Sequence, residues 1–167
     1  VILPNNKNII PVAEQVDSLT NKTVVVVPTT SMPEGLAALV VYDPEADAAE
    51  NQAEMTEAAA SVVTGEVTQA VRDSNTPTGE VRTGEWIGLV RGDGIVAIGG
   101  TTGAATIGLL EHIVGDTAEL ITVITGEGAD ADTTAAIEGW LGDHHGAVSV
   151  EVHAGGQPLY PYLFGVE

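Results

Sequence analysis

The segment Thr23–Val27 is the feature that most constrains the fold, because four consecutive valines follow a threonine there. β-branched side chains favour extended backbone, and an unbroken apolar run is typical of a strand buried on both faces of a parallel sheet. Val1–Leu3 is a shorter apolar run that ends at Pro4, and it predicts a second buried strand. The first part of the chain therefore predicts parallel strands that alternate with helices.

Two helices are expected beside these strands. Asn8 is positioned to cap the first, with Pro11 tolerated in its first turn. Ser31 and Glu34 have the spacing of a capping box and predict a second helix that ends at Val40. The inward side chains of the first helix are predicted to be Ile9, Val12, Val16 and Leu19.

A third helix is predicted to begin with Asp43 as its cap and Pro44 at its first position. By helical spacing, one face holds apolar residues and faces inward, and another holds three glutamates and faces solvent. The apolar residues are Met55, Ala58, Ala59 and Val62, and the glutamates are Glu50, Glu54 and Glu57.

Beyond Gly65 the pattern changes to short alternating segments, which predicts a mixed sheet. Glu85–Arg91 and Gly94–Ile98 flank a glycine-rich turn and predict a hairpin. The other expected elements are helices over Thr102–Val114 and Asp132–His144 and strands over Glu66–Arg72, Leu120–Thr125, Val148–His153 and Leu159–Val166. We therefore predict an α/β protein with a βα-alternating parallel portion followed by a mixed-sheet portion. Residues 1–167 are expected to form a single domain with a lobe seam near residues 63–65.

The charge balance limits the classes of partner. The chain has 24 acidic and 5 basic residues, which gives a net charge of -19. Such a surface repels nucleic acid phosphates and anionic lipid headgroups, so nucleic acid binding is not expected. No apolar run approaches the length of a membrane span, so no membrane insertion is expected. There is no cysteine, which fits a cytoplasmic protein. The acidic surface reflects either salt adaptation or a docking face for a basic partner.

Two polar loops are the first candidate binding site. Asn5, Asn6, Lys7 and Asn8 follow the first predicted strand, and Thr29 and Thr30 follow the second. In open α/β sheets, ligands bind outside the carboxyl ends of the strands. These residues are candidates to hold an anionic or polyhydroxyl group, or a partner's carboxylate. The alternative is that they shape turns and cap helices.

His153, Gly156 and Gln157 form a second candidate binding group, at the turn before the last predicted strand. A histidine at a strand end is more often structural than catalytic, and no catalytic residue is predicted. His144 and His145 are adjacent on a helix and point in different directions. With no third ligand at suitable spacing, no metal site is predicted.

Four ordered blocks of the chain resemble one known family. They are Ile2–Ile9, Val26–Ala38, Thr64–Arg72 and Gly155–Tyr162. Together they resemble the C-terminal region of the dihydroxyacetone-kinase-like family, of the type found in fatty acid kinase kinase subunits. The resemblance implies that the chain is a fragment of a longer protein, and that its fold is related to DegV-type fatty-acid-binding proteins and dihydroxyacetone kinase substrate subunits.

The resemblance also implies a function. In fatty acid kinases the kinase subunit phosphorylates a fatty acid held by a separate acyl-binding protein. The fragment is then expected to be a non-catalytic domain that engages that DegV-type partner. It would need no cofactor of its own, and ATP and Mg would belong to the parent's absent kinase domain. A homodimer is compatible with this scheme.

A second function class stays open. The chain is alternatively a small-molecule domain that binds an acyl or polyhydroxyl ligand between the two polar loops. A closed apolar cavity beside Asn5 and Thr29 would favour this alternative, whereas an exposed apolar patch near the acidic helix would favour partner binding. Dihydroxyacetone kinases hold their substrate through a histidine, but the residues around His153 do not match that site.

Overall fold

The structure is a computed structural model that describes all residues, 1–167. The chain divides into two compact units, Val1–Val62 and Val63–Glu167. The first unit contains helices α1 (Ile10–Ala13), α2 (Met32–Val40) and α3 (Ala48–Ser61), with a 3-10 helix over Glu14–Leu19 after α1.

The second unit contains eight strands and two helices. The helices are α4 (Thr102–Ile113) and α5 (Ala131–His144). The strands are β1 (Val63–Gln69), β2 (Ser74–Thr76), β3 (Gly79–Val81), β4 (Trp86–Val90), β5 (Gly94–Gly99), β6 (Leu120–Thr125), β7 (Ser149–Ala154) and β8 (Tyr162–Val166). None of the protein's helices has the length and apolarity needed to cross a membrane.

In the first unit, the two apolar runs pair in parallel at a single bridge, between Ile2 and Val26. The Ile2 amide donates to the Val25 carbonyl at 2.9 Å, and the Val27 amide donates to the Ile2 carbonyl at 3.0 Å. The predicted strand over Thr23–Val27 is therefore wrong, and the parallel portion is reduced to this bridge. The partner run is short, and a tight turn in which the Thr29 amide donates to the Val27 carbonyl at 2.7 Å ends the pairing.

The predicted helix after Ser31 is confirmed, with the Ser31 hydroxyl accepting from the Glu34 amide at 3.3 Å. The predicted cap at Asp43 is wrong, because the Asp43 side chain accepts from the Glu45 amide in a turn over residues 44–46 that does not continue into a helix. Helix α3 begins at Ala48, where Asp47 and Glu50 form a complete capping box. The Asp47 side chain accepts from the Ala49 and Glu50 amides, and the Glu50 side chain accepts from the Asp47 amide.

The two faces predicted for α3 are confirmed. Of the predicted inward side chains, Met55, Ala59 and Val62 are buried and Ala58 is half-buried. Met55 and Ala59 pack with Val27 and with Ala38 of α2, which gives the first unit a small core. The glutamates Glu50, Glu54 and Glu57 are exposed.

The prediction for α1 is wrong in two respects. Ile9, not Asn8, is the residue before the helix, and it makes no side-chain capping bond. The predicted inward face is exposed at Ile9, Val12 and Leu19. The α-helix has only four residues before it tightens into the 3-10 helix, so the 3.6-residue period that would align these side chains is lost.

The second unit is built on a six-stranded mixed sheet, in the order β5-β4-β1-β8-β6-β7. Only β6 and β7 pair in parallel, and the other neighbours are antiparallel. The hairpin of β4 and β5 is confirmed, as are α4, α5 and β6 within a residue or two. The small β2–β3 hairpin was not predicted, although its Thr76-Pro77-Thr78-Gly79 segment is a recognisable turn sequence.

Glycines in the sheet let α4 approach it closely. A Cβ added at Gly88 would lie 2.8 Å from the Leu109 Cβ and 3.1 Å from the Ala97 Cβ. A Cβ at Gly65 would lie 2.9 Å from the Ile113 side chain. Leu109 is fully buried and belongs to the main core of the unit, so this close packing contributes to the largest apolar cluster in the protein.

Gly88→Ala is expected to lower the free energy of unfolding by about 1–3 kcal/mol, because the added methyl overpacks the contact with α4. Urea unfolding followed by circular dichroism measures this. Gly100→Ala is the matched control, because a Cβ at Gly100 meets no heavy atom within 4 Å. An equal loss in both variants would contradict the role assigned to close packing at Gly88.

Candidate functional site

The two polar loops of the first unit meet, as the sequence predicted. The Asn5 amide donates to the Thr29 hydroxyl at 3.1 Å, and that hydroxyl donates back to the Asn5 carboxamide oxygen at 2.8 Å. Thr29 is fully buried. The Thr29 hydroxyl donates its hydrogen and accepts one hydrogen bond within the protein. We call this reciprocal pair of hydrogen bonds between Asn5 and Thr29 the lock between the loops.

Asn5 is held in an unusual conformation by this lock. Its φ is 51°, in the left-handed region, where asparagine is better tolerated than most residues. Its side chain lies against the backbone of Gly35 in α2, where a Cβ would come within 2.9 Å of the Asn5 Cγ. The Asn5 carboxamide therefore contacts both the second loop, through Thr29, and helix α2, through Gly35.

Thr30 makes a second set of bonds at the start of α2. Its amide donates to Glu34 Oε2 at 2.6 Å, and its hydroxyl donates to Glu34 Oε1 at 3.0 Å. Glu34 is 2% exposed. Its negative charge lies at the helix N-terminus, where the helix dipole stabilises it. The spacing of Ser31 and Glu34 predicted a capping box. The Glu34 carboxylate instead accepts from the amide and hydroxyl of Thr30.

The exposed part of the first loop consists of Asn6, Lys7 and Asn8. The Asn6 side chain accepts from the Asn8 amide at 2.9 Å, which forms a local turn. Lys7 carries one of the five positive charges of the chain. Ligand or partner binding by these three residues stays a prediction, whereas Asn5 and Thr29 bond to each other across the two loops and Thr30 bonds to Glu34 of α2.

The second predicted group lies in the second unit. His153 is exposed on β7, the edge strand, with its Nε2 atom 3.4 Å from Glu151 Oε2. Gly156 has a φ of 66°, which a glycine adopts without strain. The Gln157 amide nitrogen donates to the Ile124 carbonyl at 3.1 Å and to the Tyr160 carbonyl at 3.0 Å. Gly156 and Gln157 therefore shape the turn before β8.

Three titratable groups of the second unit have pKa values that are shifted by contacts within the fold. The pKa of Asp73 is lowered by hydrogen bonds from the Thr83 amide and hydroxyl. The pKa of Asp130 is lowered by its bond from the Thr133 amide, which caps α5. Burial raises the pKa of Tyr162, whose hydroxyl lies 2.9 Å from that of Thr134. No group of three or more histidine, aspartate or glutamate side chains lies together where it could hold a metal ion.

An exposed apolar face on α2 is the feature that the sequence analysis missed. Ala37 and Ala38 face inward and are buried, whereas Leu36, Leu39 and Val40 are 43%, 53% and 85% exposed. The signal was present in Met32–Val40, whose single charged residue, Glu34, is buried. A helix that is apolar on every side is normally buried all round, and α2 is not.

This architecture defines a two-unit α/β protein with an interlocked pair of loops and an apolar helix face in its first unit. A family model for the C-terminal region of FakA-like fatty acid kinase subunits matches residues 1–167. The chain belongs to that family.

Relatives in three staphylococci carry the same region. Uncharacterized proteins of Staphylococcus haemolyticus, Staphylococcus epidermidis and Staphylococcus aureus are 41%, 40% and 39% identical to this chain over 167 residues. The match covers 100% of this chain and 30% of each relative. The chain thus spans less than a third of the length of the curated relatives that it matches.

Thr29→Val is expected to lower the free energy of unfolding by about 1–3 kcal/mol, because it leaves the Asn5 amide and carboxamide oxygen without their partner. Urea unfolding measures the change. Thr29→Ser keeps the hydroxyl and is the control, with a smaller loss expected. If Thr29→Val unfolds like the unmodified protein, the loops do not depend on this lock.

Proposed function

We propose that this chain is a non-catalytic partner-docking domain of a fatty acid kinase subunit. In this proposal the partner is a separate acyl-binding protein of the DegV type, which presents the fatty acid for phosphorylation. ATP and Mg belong to another part of the parent protein, and the assembly works in the cytoplasm. The observation that carries the proposal is the exposed apolar face of α2.

Energetics support a protein partner for this face. Leu36, Leu39 and Val40 lie within one turn and project from the same side of α2. Exposed apolar surface is unfavourable in water at about 25 cal/mol for each Å². Clusters of this kind mark interaction sites more often than isolated exposed side chains do. Val41 and Tyr42 follow directly and are 38% and 46% exposed, which extends the apolar surface beyond the helix.

The acidic charge supports a basic partner surface. Helix α3, which packs against α2 through Ala38 and Met55, exposes Glu50, Glu54 and Glu57. Charge complementarity acts mainly on the rate of encounter and on specificity, while desolvated apolar contacts contribute most of the affinity. An apolar patch with basic residues around it is therefore the surface that we expect on the partner.

The small-molecule alternative has less support. The hydroxyls of Thr29 and Thr30 bond to Asn5 and Glu34, and a ligand would have to replace these bonds. Asn6, Lys7 and Asn8 are better placed to touch a partner than to enclose a ligand, because all three are exposed. We also propose, on the resemblance alone, that the fold is related to DegV-type proteins and dihydroxyacetone kinase substrate subunits.

Replacing Leu36 and Leu39 together with glutamine is expected to weaken binding to the acyl-binding partner by about tenfold or more, since it removes the centre of an apolar contact. Glutamine keeps helix propensity, so the free energy of unfolding should stay within about 0.5 kcal/mol of the unmodified value. Surface plasmon resonance with the immobilised partner measures the dissociation constant.

The matched control replaces Val63 and Val152 of the second unit with threonine, because these side chains are 43% and 39% exposed. Their binding should equal that of the unmodified chain. Equal binding by the Leu36→Gln, Leu39→Gln variant would remove α2 from the interface and overturn the proposal.

Replacing Glu50, Glu54 and Glu57 with glutamine is expected to slow association with the same partner at low salt and to change little at high salt. Electrostatic steering fades as ions screen the charges. Stopped-flow measurements at two salt concentrations test this. The control changes three exposed glutamates of the second unit, Glu80, Glu111 and Glu138, by the same net charge. If both triple variants slow association equally, net charge matters and the α3 face does not.

A further inference from the structure

The second unit contains an open apolar groove that the proposed function does not use. It has a volume of about 590 Å³ and lies where β1 ends, β4 begins and the chain turns into β8. Its apolar lining includes Val71, Trp86, Leu159 and Tyr160. Val71 is 89% exposed and Leu159 is 76% exposed, whereas Trp86 and Tyr160 are half-buried.

Leu159 is presented to solvent by a strained backbone. Its φ is 70°, in the left-handed region that disfavours leucine. The Thr68 hydroxyl donates to the Leu159 carbonyl at 2.7 Å, and the Gln157 amide donates to the Tyr160 carbonyl at 3.0 Å. These bonds, one to Leu159 itself and one to the residue after it, hold the strained backbone in place. A polar residue or glycine would meet the backbone requirement with less strain, so the exposed leucine itself calls for an explanation.

The acidic residues at and near the groove favour a positively charged occupant. Glu127 is the one aspartate, glutamate, lysine or arginine in the lining. Burial raises the pKa of the Tyr160 phenol, and the nearby Glu66 carboxylate raises it further, so a second acidic side chain lies close to the groove. A free carboxylate ligand would be repelled by the Glu127 and Glu66 carboxylates. A second copy is disfavoured as well, because each chain carries a net charge of -19.

The shape favours a protein segment over a small molecule. Small-molecule sites enclose most of the ligand surface, whereas this groove is open and has Leu159 and Val71 protruding at its edge. Half-buried tryptophan and tyrosine beside protruding aliphatic side chains are typical of energetically important positions in protein interfaces. We propose that this groove is a docking site for an extended protein segment that inserts an apolar or aromatic side chain between Trp86 and Leu159 and places a lysine or arginine beside Glu127.

The groove and the docking face on α2 share no residue, because the residues of the groove all lie in the second unit and α2 lies in the first. Loss of binding at one surface therefore leaves the other testable, and either proposal can fail alone.

Selection of short peptides tests this inference directly. A random peptide library is selected on the full chain after depletion on the Leu159→Gly variant. We expect the enriched peptides to hold an apolar or aromatic residue within a few positions of a lysine or arginine. Acidic peptides, or no enrichment, would overturn the proposal. The Leu159→Gly variant keeps its fold because glycine adopts a positive φ without strain.

The enriched peptide is then titrated into a Trp140→Phe chain, in which Trp86 is the single tryptophan. Binding should shift the Trp86 emission to shorter wavelength, because the occupant removes water from the ring. Leu159→Gly should raise the dissociation constant about tenfold, and Glu127→Gln should raise it a few-fold at about 0.15 M ionic strength, where exposed charges are largely screened beyond ~8 Å.

Two control variants separate this site from unspecific attraction to an acidic protein. Leu19→Gly removes a leucine of the first unit that is 81% exposed, and Glu138→Gln removes one exposed negative charge from α5. Both should bind the peptide like the unmodified chain. Equal loss in test and control variants, an unshifted Trp86 emission, or a shift caused by oleate in preference to the peptide would each overturn the inference.

Discussion

Strand β8 is the element on which the second unit depends. It lies between β1 and β6 and joins the β5-β4-β1 half of the sheet to the β6-β7 half. All five of its residues are buried, and Tyr162 and Phe164 are among the largest fully buried side chains. Just beyond it, the Glu167 carbonyl accepts from the amides of Glu119 and Leu120. The chain must therefore turn from the edge strand β7 back to the sheet centre within a few residues.

That return path explains the unusual backbone before β8. Gly126 must be a glycine, because a Cβ there would collide with the carbonyls of Gln157 and Tyr160. Gln157 ties the turn to β6 through the Ile124 carbonyl. The strain at Leu159 and the apolar groove beside it are consequences of the same crossing. The return of the chain to β8 at the centre of the sheet thus creates the exposed apolar groove at the end of the sheet. The side chain at position 159 sets how apolar that groove is.

The sequence predicted elements best where one local signal was decisive. The Ser31 cap and the hairpin of β4 and β5 each had such a signal, and both are confirmed. The valine run of Thr23–Val27 failed because β-propensity cannot supply a partner strand, and only the short run at Ile2 pairs with it. Asn8 and Asp43 failed as caps because each lies in a local turn that ends before the helix begins: the Asn8 amide donates to the Asn6 side chain, and the Asp43 side chain accepts from the Glu45 amide. The polar loops were placed correctly beside each other, but the bonds that occupy Thr29 and Thr30 depend on side-chain geometry that spacing does not reveal.

The exposed apolar surfaces and the large negative charge belong together in physical terms. A chain with exposed leucines at residues 36, 39 and 159 would tend to associate with itself. A net charge of -19 opposes that association, because identical copies repel each other as they approach. A basic partner is attracted by the same field and can bring its own apolar residues to these faces. The negative charge therefore favours a basic partner over a second copy of the chain even where no acidic residue lies in the interface. This preference should weaken as the salt concentration rises.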